Sequence, residues 1–137
     1  MDTVERHVTL PTDIEEAWDL LTRPDDLGAW LGADVILDPT PGAAGLVVDH
    51  DGTRRQLVVD RVEEGRRLSW RWWTDDQLEA SHVEITLTTT DDGTRVSVVE
   101  HSVSRPKAAA RASASAAWSH RLLHLEALLL IAAAVRG

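Results

Sequence analysis

The sequence has no cysteine, no phenylalanine and no tyrosine. Without cysteine the chain can form neither a disulfide nor a thiolate metal site, and it has no thiol nucleophile. Tryptophan, which occurs six times, must therefore provide every large aromatic surface of the protein. We expect these tryptophans to fill the core and, where there is a cavity, to form its walls.

Positive charge is also scarce, since 14 Lys and Arg residues face 23 Asp and Glu residues and leave a net charge of −9. A surface of this sign repels nucleic acid and anionic membranes. The first residues, MDTVERHV, lack the pattern of a signal peptide, and the apolar run at 127–135 is shorter than the about 20 residues that span a bilayer. We therefore expect a cytoplasmic protein with no nucleic-acid or membrane partner.

Common catalytic and cofactor motifs are missing as well: there is no GxSxG elbow, no glycine-rich loop before a helix and no HExxH. His120 and His124 have the four-residue spacing of metal ligands on a helix, but the sequence shows no third ligand beside them. We predict neither a metal ion nor a cofactor, and we expect these histidines to lie on the surface.

The order of elements follows from the periodicity of apolar residues. Residues 3–10 alternate as a half-buried strand does. Thr12 with Glu15 predicts a capping box that begins a short helix, and Pro24 opens a second helix that ends at Gly32. The length of the chain predicts a single domain, 1–137.

Six further strands are predicted before the chain becomes helical again, with a loop at 39–45. They cover residues 33–37, 46–50, 53–62, 68–74, 83–89 and 95–101. Asp51-Gly52 and the Asp-Asp-Gly at 91–93 predict tight hairpin turns. In the last hairpin, the inward apolar positions predict the pairs Leu87 with Val96, Ile85 with Val98 and Val83 with Glu100, and bring His82 close to His101.

This register places Glu100 on the core-facing side of its strand. A carboxylate in that position is costly unless it is paired or hydrated, so we expect water or a buried partner such as Arg6 or Arg54. A role as ligand anchor or general base would follow if burial raised its pKa. The alternative is that Glu100 lies near the strand end and points into solvent.

Residues 112–135 predict a long helix. Its apolar stripe has steps of four and three and consists of Trp118, Leu122, Leu125, Leu129 and Ala132. A polar side is formed in the first turns by Ser119, His120, Arg121 and Glu126. From Ala127 onward the helix is apolar almost all round, which predicts burial on more than one face.

Five stretches of the chain resemble a known superfamily. They are TLPTDIEEAWDLLTRPDDLGAWLG (9–32), PGAAGLV (41–47), VVDRVEEGRRLSWRWW (58–73), VEITLTTTDDGTRVSVVEHS (83–102) and the AAW...LLHLEALL helix. Together they resemble the START-like (SRPBCC) superfamily, which includes birch-pollen-allergen proteins and polyketide cyclases, and within it the branch named after the activator of heat-shock-protein-90 ATPase. The resemblance implies an α+β helix-grip fold, in which a curved antiparallel sheet of six to seven strands wraps around the long C-terminal helix.

The resemblance also implies an apolar cavity between sheet and helix. The residues that we expect to line it are Trp30, Trp70, Trp72, Val98, Glu100, Trp118 and Leu122. We predict that a hydrophobic, aromatic small molecule binds there without being transformed, to a monomer or a homodimer. The alternatives are tryptophans that only fill the core, a cyclase-like or hydrolase-like enzyme with Glu100 as acid and base, and a co-chaperone that activates an ATPase.

Overall fold

A computed structural model describes residues 2–75, 80–102 and 108–136, with side-chain surroundings for 3–75, 80–102 and 114–131. The described elements are β1 (Asp2–Leu10), α1 (Ile14–Thr22), α2 (Pro24–Trp30), β2 (Asp34–Ile36), β3 (Ala44–Val48), β4 (Arg54–Glu63), β5 (Arg67–Trp73), β6 (Ser81–Thr90), β7 (Gly93–Ser102) and α3 (Ala108–Arg136). The predicted order of strand, two short helices, strands and long helix is confirmed.

All described strands belong to one antiparallel sheet of seven strands, in the order β1-β7-β6-β5-β4-β3-β2. The first strand pairs with the last along its whole length, from Asp2 opposite Ser102 to Leu10 opposite Thr94. The predicted α+β helix-grip fold is therefore confirmed.

The register of the last hairpin also agrees with its prediction. Its pairs are Leu87 with Val96, Ile85 with Val98, Val83 with Glu100 and His82 with His101. A side chain at the turn residue Gly93 would bring a Cβ within 2.1 Å of the Leu10 carbonyl oxygen, and φ there is +141°. Glycine at this turn and the apolar alternation of both strands together fix the pairing.

The predicted cap of the first helix is wrong by one residue. Asp13, not Thr12, is the N-cap, and its side chain accepts a hydrogen bond from the backbone N–H of Glu16, at 2.8 Å. The backbone N–H of Thr12 instead donates to Leu10 in a tight turn, while the carbonyl of Asp13 accepts the first helical hydrogen bond from Ala17. The sequence fits the capping pattern twice, as Thr12 with Glu15 and as Asp13 with Glu16. The turn after β1 excludes Thr12 as the N-cap.

Several other boundaries also differ from the predictions, among them those of β3, α2 and α3. β3 covers Ala44–Val48 rather than 46–50, because pairing with β4 draws the end of the predicted loop into the sheet. α2 ends at Trp30, with Leu31 as its C-cap, before Gly32 is reached. α3 begins at Ala108 instead of 112, because the alanine-rich lead-in has high helix propensity and continues the helix.

One stripe of α3 lies in the core, as predicted: Trp118, Leu122, Leu125 and Leu129 are buried, and the side chain of Ala132 lies outside those described. The predicted burial of other faces beyond Ala127 is wrong. Ala127 itself is exposed, and Leu130 and Ile131 are 67% and 60% exposed. The elements packed against α3 include β1, α1 and α2, with Trp72 of β5 stacked on Trp118, and they leave Leu130 and Ile131 exposed.

Candidate functional site: a pocket beside a tryptophan–arginine cluster

Two indoles join the sheet to the long helix. Trp72 on β5 and Trp118 on α3 are buried, and their rings are stacked, with centroids 5.7 Å apart and an interplanar angle of 26°. Trp70 lies two residues before Trp72 on the same face of the strand, and its ring meets that of Trp72 edge-on at 5.6 Å. Strand alternation turns Trp73 to the other face, where it is half-buried. The three buried indoles fill the space between α3 and the sheet.

Glu100 holds this indole pair together. Its carboxylate accepts hydrogen bonds from Nε1 of Trp72 and Nε1 of Trp118, both at 2.8 Å, one on each oxygen. The predicted partners, Arg6 and Arg54, are wrong: Arg6 donates to side chains of α3 and to the Glu5 carbonyl. The register across β7 places Glu100 between the two indoles, whose N–H groups would otherwise be buried without acceptors.

Arg121 lies over the same pair of rings. Its side chain is 7% exposed, and its guanidinium carbon is 4.6 Å from the ring centroid of Trp118 and 5.2 Å from that of Trp72. Nε donates to the carbonyl of Leu31 and Nη2 to Oδ1 of Asp49, both at 3.0 Å. Burial lowers the pKa of Arg121, while the carboxylate of Asp49 opposes this shift. A guanidinium has so high a pKa that it remains charged.

Asp49 is neutralised from two sides. Its second oxygen pairs with Arg55, whose guanidinium carbon lies 5.1 Å from the ring centroid of Trp72. Neither Asp49 nor Arg55 was a sequence candidate, and Arg121 was assigned to the polar side of its helix. The only signal for Arg121 was its position three residues after Trp118, which places both on nearly the same helix face. The contacts with Asp49 depend on the tertiary fold.

A pocket of about 260 Å³ opens next to this cluster, between the end of α2, the β3–β4 turn and α3. It is lined by Trp30, Leu31, Gly32, Asp49, His50, Asp51, Ala117, His120, Arg121 and His124. Of the sequence candidates, Trp30 lines this pocket. The other six, Trp70, Trp72, Val98, Glu100, Trp118 and Leu122, do not line it, and all of them except half-buried Glu100 belong to the buried core.

Three histidines gather at the rim of the pocket. The ring of His124 lies 6.1 Å from that of His50 and 6.5 Å from that of His120, measured between centroids. His120 and His124 are exposed, as predicted, whereas no sequence pattern indicated that His50 joins them from the β3–β4 turn. Within the described residues, no three His, Cys, Asp or Glu side chains are placed to hold a metal ion.

Asp51 also lies at the rim, in the tight turn between β3 and β4. Its Oδ1 accepts a hydrogen bond from the backbone N–H of Thr53 at 2.9 Å. This bond holds the pKa of Asp51 below its ordinary value of 3.8, so the carboxylate is ionised at neutral pH.

A curved antiparallel sheet that holds a long C-terminal helix, with a pocket at one end of the contact, defines an α+β protein of the helix-grip class. Comparison with known families is consistent with this fold. The family model described as "Activator of Hsp90 ATPase homolog 1-like protein" matches residues 11–130, and the chain belongs to this family. No curated protein matches the sequence.

Solved structures show the same fold. DynU16, from the dynemicin biosynthetic locus, is 29% identical with a TM-score of 0.85; the match covers 94% of this chain and 47% of DynU16, so this chain spans about half the length of that protein. Protein MLL2253 from Mesorhizobium loti is 28% identical with a TM-score of 0.85, over 93% of this chain and 96% of that one. The Aha1 dimer from Colwellia psychrerythraea, at 18% identity, has a TM-score of 0.81 over 94% and 96% of the chains and shares the fold alone. None of the described helices could cross a membrane.

Proposed function

We propose that this protein binds a hydrophobic, aromatic small molecule in the pocket beside Trp30, without transforming it. The observation that carries the proposal is the pocket itself, which is bordered by the buried indole of Trp30 and by several polar side chains. Ligand pockets commonly have volumes of about 300–1,000 Å³ and combine an apolar lining with a few polar groups. At about 260 Å³, this pocket favours a compact ligand of one or two rings.

The sequence candidates have different roles in this proposal. Trp30 borders the pocket from within the core, since it is only 1% exposed. Trp72, Trp118 and Glu100 act indirectly, because together they support the guanidinium of Arg121 at the pocket. The remaining candidates, Trp70, Val98 and Leu122, would contact only a ligand that reaches deeper into the core than this pocket does.

The solved relatives support a small-molecule role. DynU16 belongs to a biosynthetic locus, and its sequence is 29% identical over nearly the whole of this chain. We further propose that residues 1–137 act as one domain in the cytoplasm, as a monomer or a homodimer.

The test is calorimetric titration of the purified protein with a panel of one-ring and two-ring aromatic compounds. For any compound that binds, Trp30→Leu should weaken the affinity at least tenfold, because it removes the aromatic wall. Trp30→Phe keeps an aromatic ring and should retain most of the affinity. Trp73→Phe, on the opposite face of β5, is the matched control. Equal affinity of the wild type and folded Trp30→Leu would overturn the assignment of this pocket.

Two alternatives predict different results. An enzyme that uses Glu100 as acid and base needs a carboxylate that exchanges protons with the ligand, whereas both oxygens of Glu100 accept indole hydrogen bonds. Turnover that Glu100→Gln abolishes would nevertheless favour the enzyme. The family description raises a co-chaperone as the second alternative. Stimulation of the ATPase of the cognate heat-shock protein by the purified chain would favour it.

A further inference from the structure

We infer that the ligand is an aromatic oxyanion, with a planar ring system that lies against Trp30 and a carboxylate or phenolate that meets Arg121 and the rim histidines. This inference rests on the proposed function and adds the chemical class of the ligand. It follows from which polar groups of the pocket are already satisfied by the protein and which are not.

Arg121 provides the central donor. The side chain is more than nine-tenths buried and lines the pocket. Nε and Nη2 have partners, but Nη1 makes no hydrogen bond within the described residues. Nη1 is also not among the buried nitrogens that lack a partner, so it remains accessible. A guanidinium nitrogen with some exposed surface, on an otherwise buried arginine that lines a pocket, is suited to an oxygen acceptor of negative charge.

The histidines add donors of the same kind. In the described structure, the ring of His124 lies next to those of His50 and His120, and none of the nitrogens of the three rings has a hydrogen-bond partner. An imidazole can donate to an oxyanion in its neutral form and more strongly in its charged form. The rim therefore presents several unused nitrogen donors within one small volume.

The acids of the pocket do not cancel these donors. Both oxygens of Asp49 are occupied, one by Arg55 and one by Arg121. Asp51 is exposed and accepts from the Thr53 backbone, so its remaining charge faces solvent, where it is screened. Among the groups that line the pocket, those without a protein partner are thus mainly donors, although the whole chain carries a net charge of −9.

The experiment compares 2-naphthoate with its methyl ester, because the two probes share the ring system and differ in the negative charge. Calorimetry at neutral pH should show at least tenfold tighter binding of 2-naphthoate. The double variant His120→Ala/His124→Ala removes the ring nitrogens at two exposed positions, and it should weaken binding of the acid severalfold and leave the ester unchanged. His7→Ala, at an exposed position of β1, is the control and should change neither.

Arg121→Met should abolish the difference between acid and ester, provided that circular dichroism shows the native fold. If this variant does not fold, the double histidine variant still decides the matter. Equal binding of acid and ester in the wild type, with the ester still dependent on Trp30, would overturn the oxyanion but leave aromatic binding intact. No heat from either probe at millimolar concentration would overturn both proposals for two-ring ligands.

Discussion

Among single residues, Glu100 links the sheet to the long helix through two hydrogen bonds. Its two oxygens bind one indole of β5 and one of α3, so a single carboxylate connects three elements. Hydrogen bonds to a charged acceptor contribute about 1.5–3 kcal/mol each, which is more than neutral bonds do. The acid that the sequence suggested as a catalyst is in this position a structural acceptor.

Glu100→Gln should therefore destabilise the protein. A glutamine can accept one indole hydrogen bond with its oxygen, but its NH₂ group then faces the N–H of the other indole, donor against donor. We expect the free energy of unfolding to fall by about 1.5–3 kcal/mol, measured by urea denaturation. Glu64→Gln, in the exposed β4–β5 turn, is the control and should change it by less than about 0.5 kcal/mol. An unchanged free energy of unfolding in Glu100→Gln would contradict the bridging role.

The position of Glu100 was predictable, but its partners were not. Alternation along β6 and β7 and a glycine turn place it opposite Val83, and this information lies within twenty residues of sequence. Its two partners lie 28 residues before it and 18 residues after it. Which indole reaches a given carboxylate depends on where α3 docks on the sheet, and local pattern does not encode this. The same reason hid the contact of His50 with His124.

Among the elements, α3 shows where periodicity is informative. The steps of four and three correctly predicted the buried stripe, because a packed helix face must be apolar. Apolar residues elsewhere on the helix do not have to be buried, and Leu123, Leu130 and Ile131 are exposed. A continuous apolar run thus predicts that the segment is helical, but it does not indicate how many faces of the helix are covered.

Two leucines on α3 test this assignment directly. Leu125 is fully buried, whereas Leu123, two residues before it, is 58% exposed. Leu125→Ala should lower the free energy of unfolding by about 2–5 kcal/mol, because it leaves a cavity between helix and sheet. Leu123→Ala should change it by less than about 0.5 kcal/mol. Equal losses in urea denaturation would mean that α3 does not dock through the predicted stripe.

The short helix α2 contains a glycine that its backbone does not need. A Cβ at Gly28 would meet nothing closer than the Ala33 carbonyl oxygen at 3.9 Å, an ordinary contact. Gly28→Ala should stabilise the protein by about 0.5–1 kcal/mol, since alanine loses less conformational freedom in a helix. In thermal denaturation, each kcal/mol gained in the free energy of unfolding should raise the midpoint temperature by roughly 2–4 °C.

Gly45 provides the contrasting case for the same substitution. A Cβ there would lie 2.3 Å from the carbonyl oxygen of Ile36, so alanine must push β2 away from β3. Gly45→Ala should therefore lower the midpoint, whereas Gly28→Ala raises it. If the two substitutions shifted the midpoint in the same direction, the close approach of β2 to β3 would be wrong.

For the whole molecule, the important contrast is between its net negative charge and the nitrogen donors that its pocket presents. The chain carries a net charge of −9, and the resulting repulsion opposes the compact state. The proposed ligand site instead gathers a buried guanidinium and three imidazoles, with Asp49 neutralised inside the cluster. Salt should thus act on stability and on ligand binding in opposite directions.

Raising the NaCl concentration shortens the Debye length from about 30 Å at 0.01 M to about 8 Å at 0.15 M. We expect the thermal midpoint to rise, because the repulsion among excess carboxylates is screened, while exposed ion pairs such as Arg23 with Asp19 contribute only about 0–1 kcal/mol and lose little. Asp91→Asn/Asp92→Asn removes two charges from an exposed turn and should raise the midpoint at low salt and reduce its salt response.

Over the same range, affinity for 2-naphthoate should fall severalfold, while affinity for the methyl ester should not. A midpoint that falls with salt would show that attraction dominates the global charge, and a naphthoate affinity that does not change would show that the charge of Arg121 does not reach the ligand.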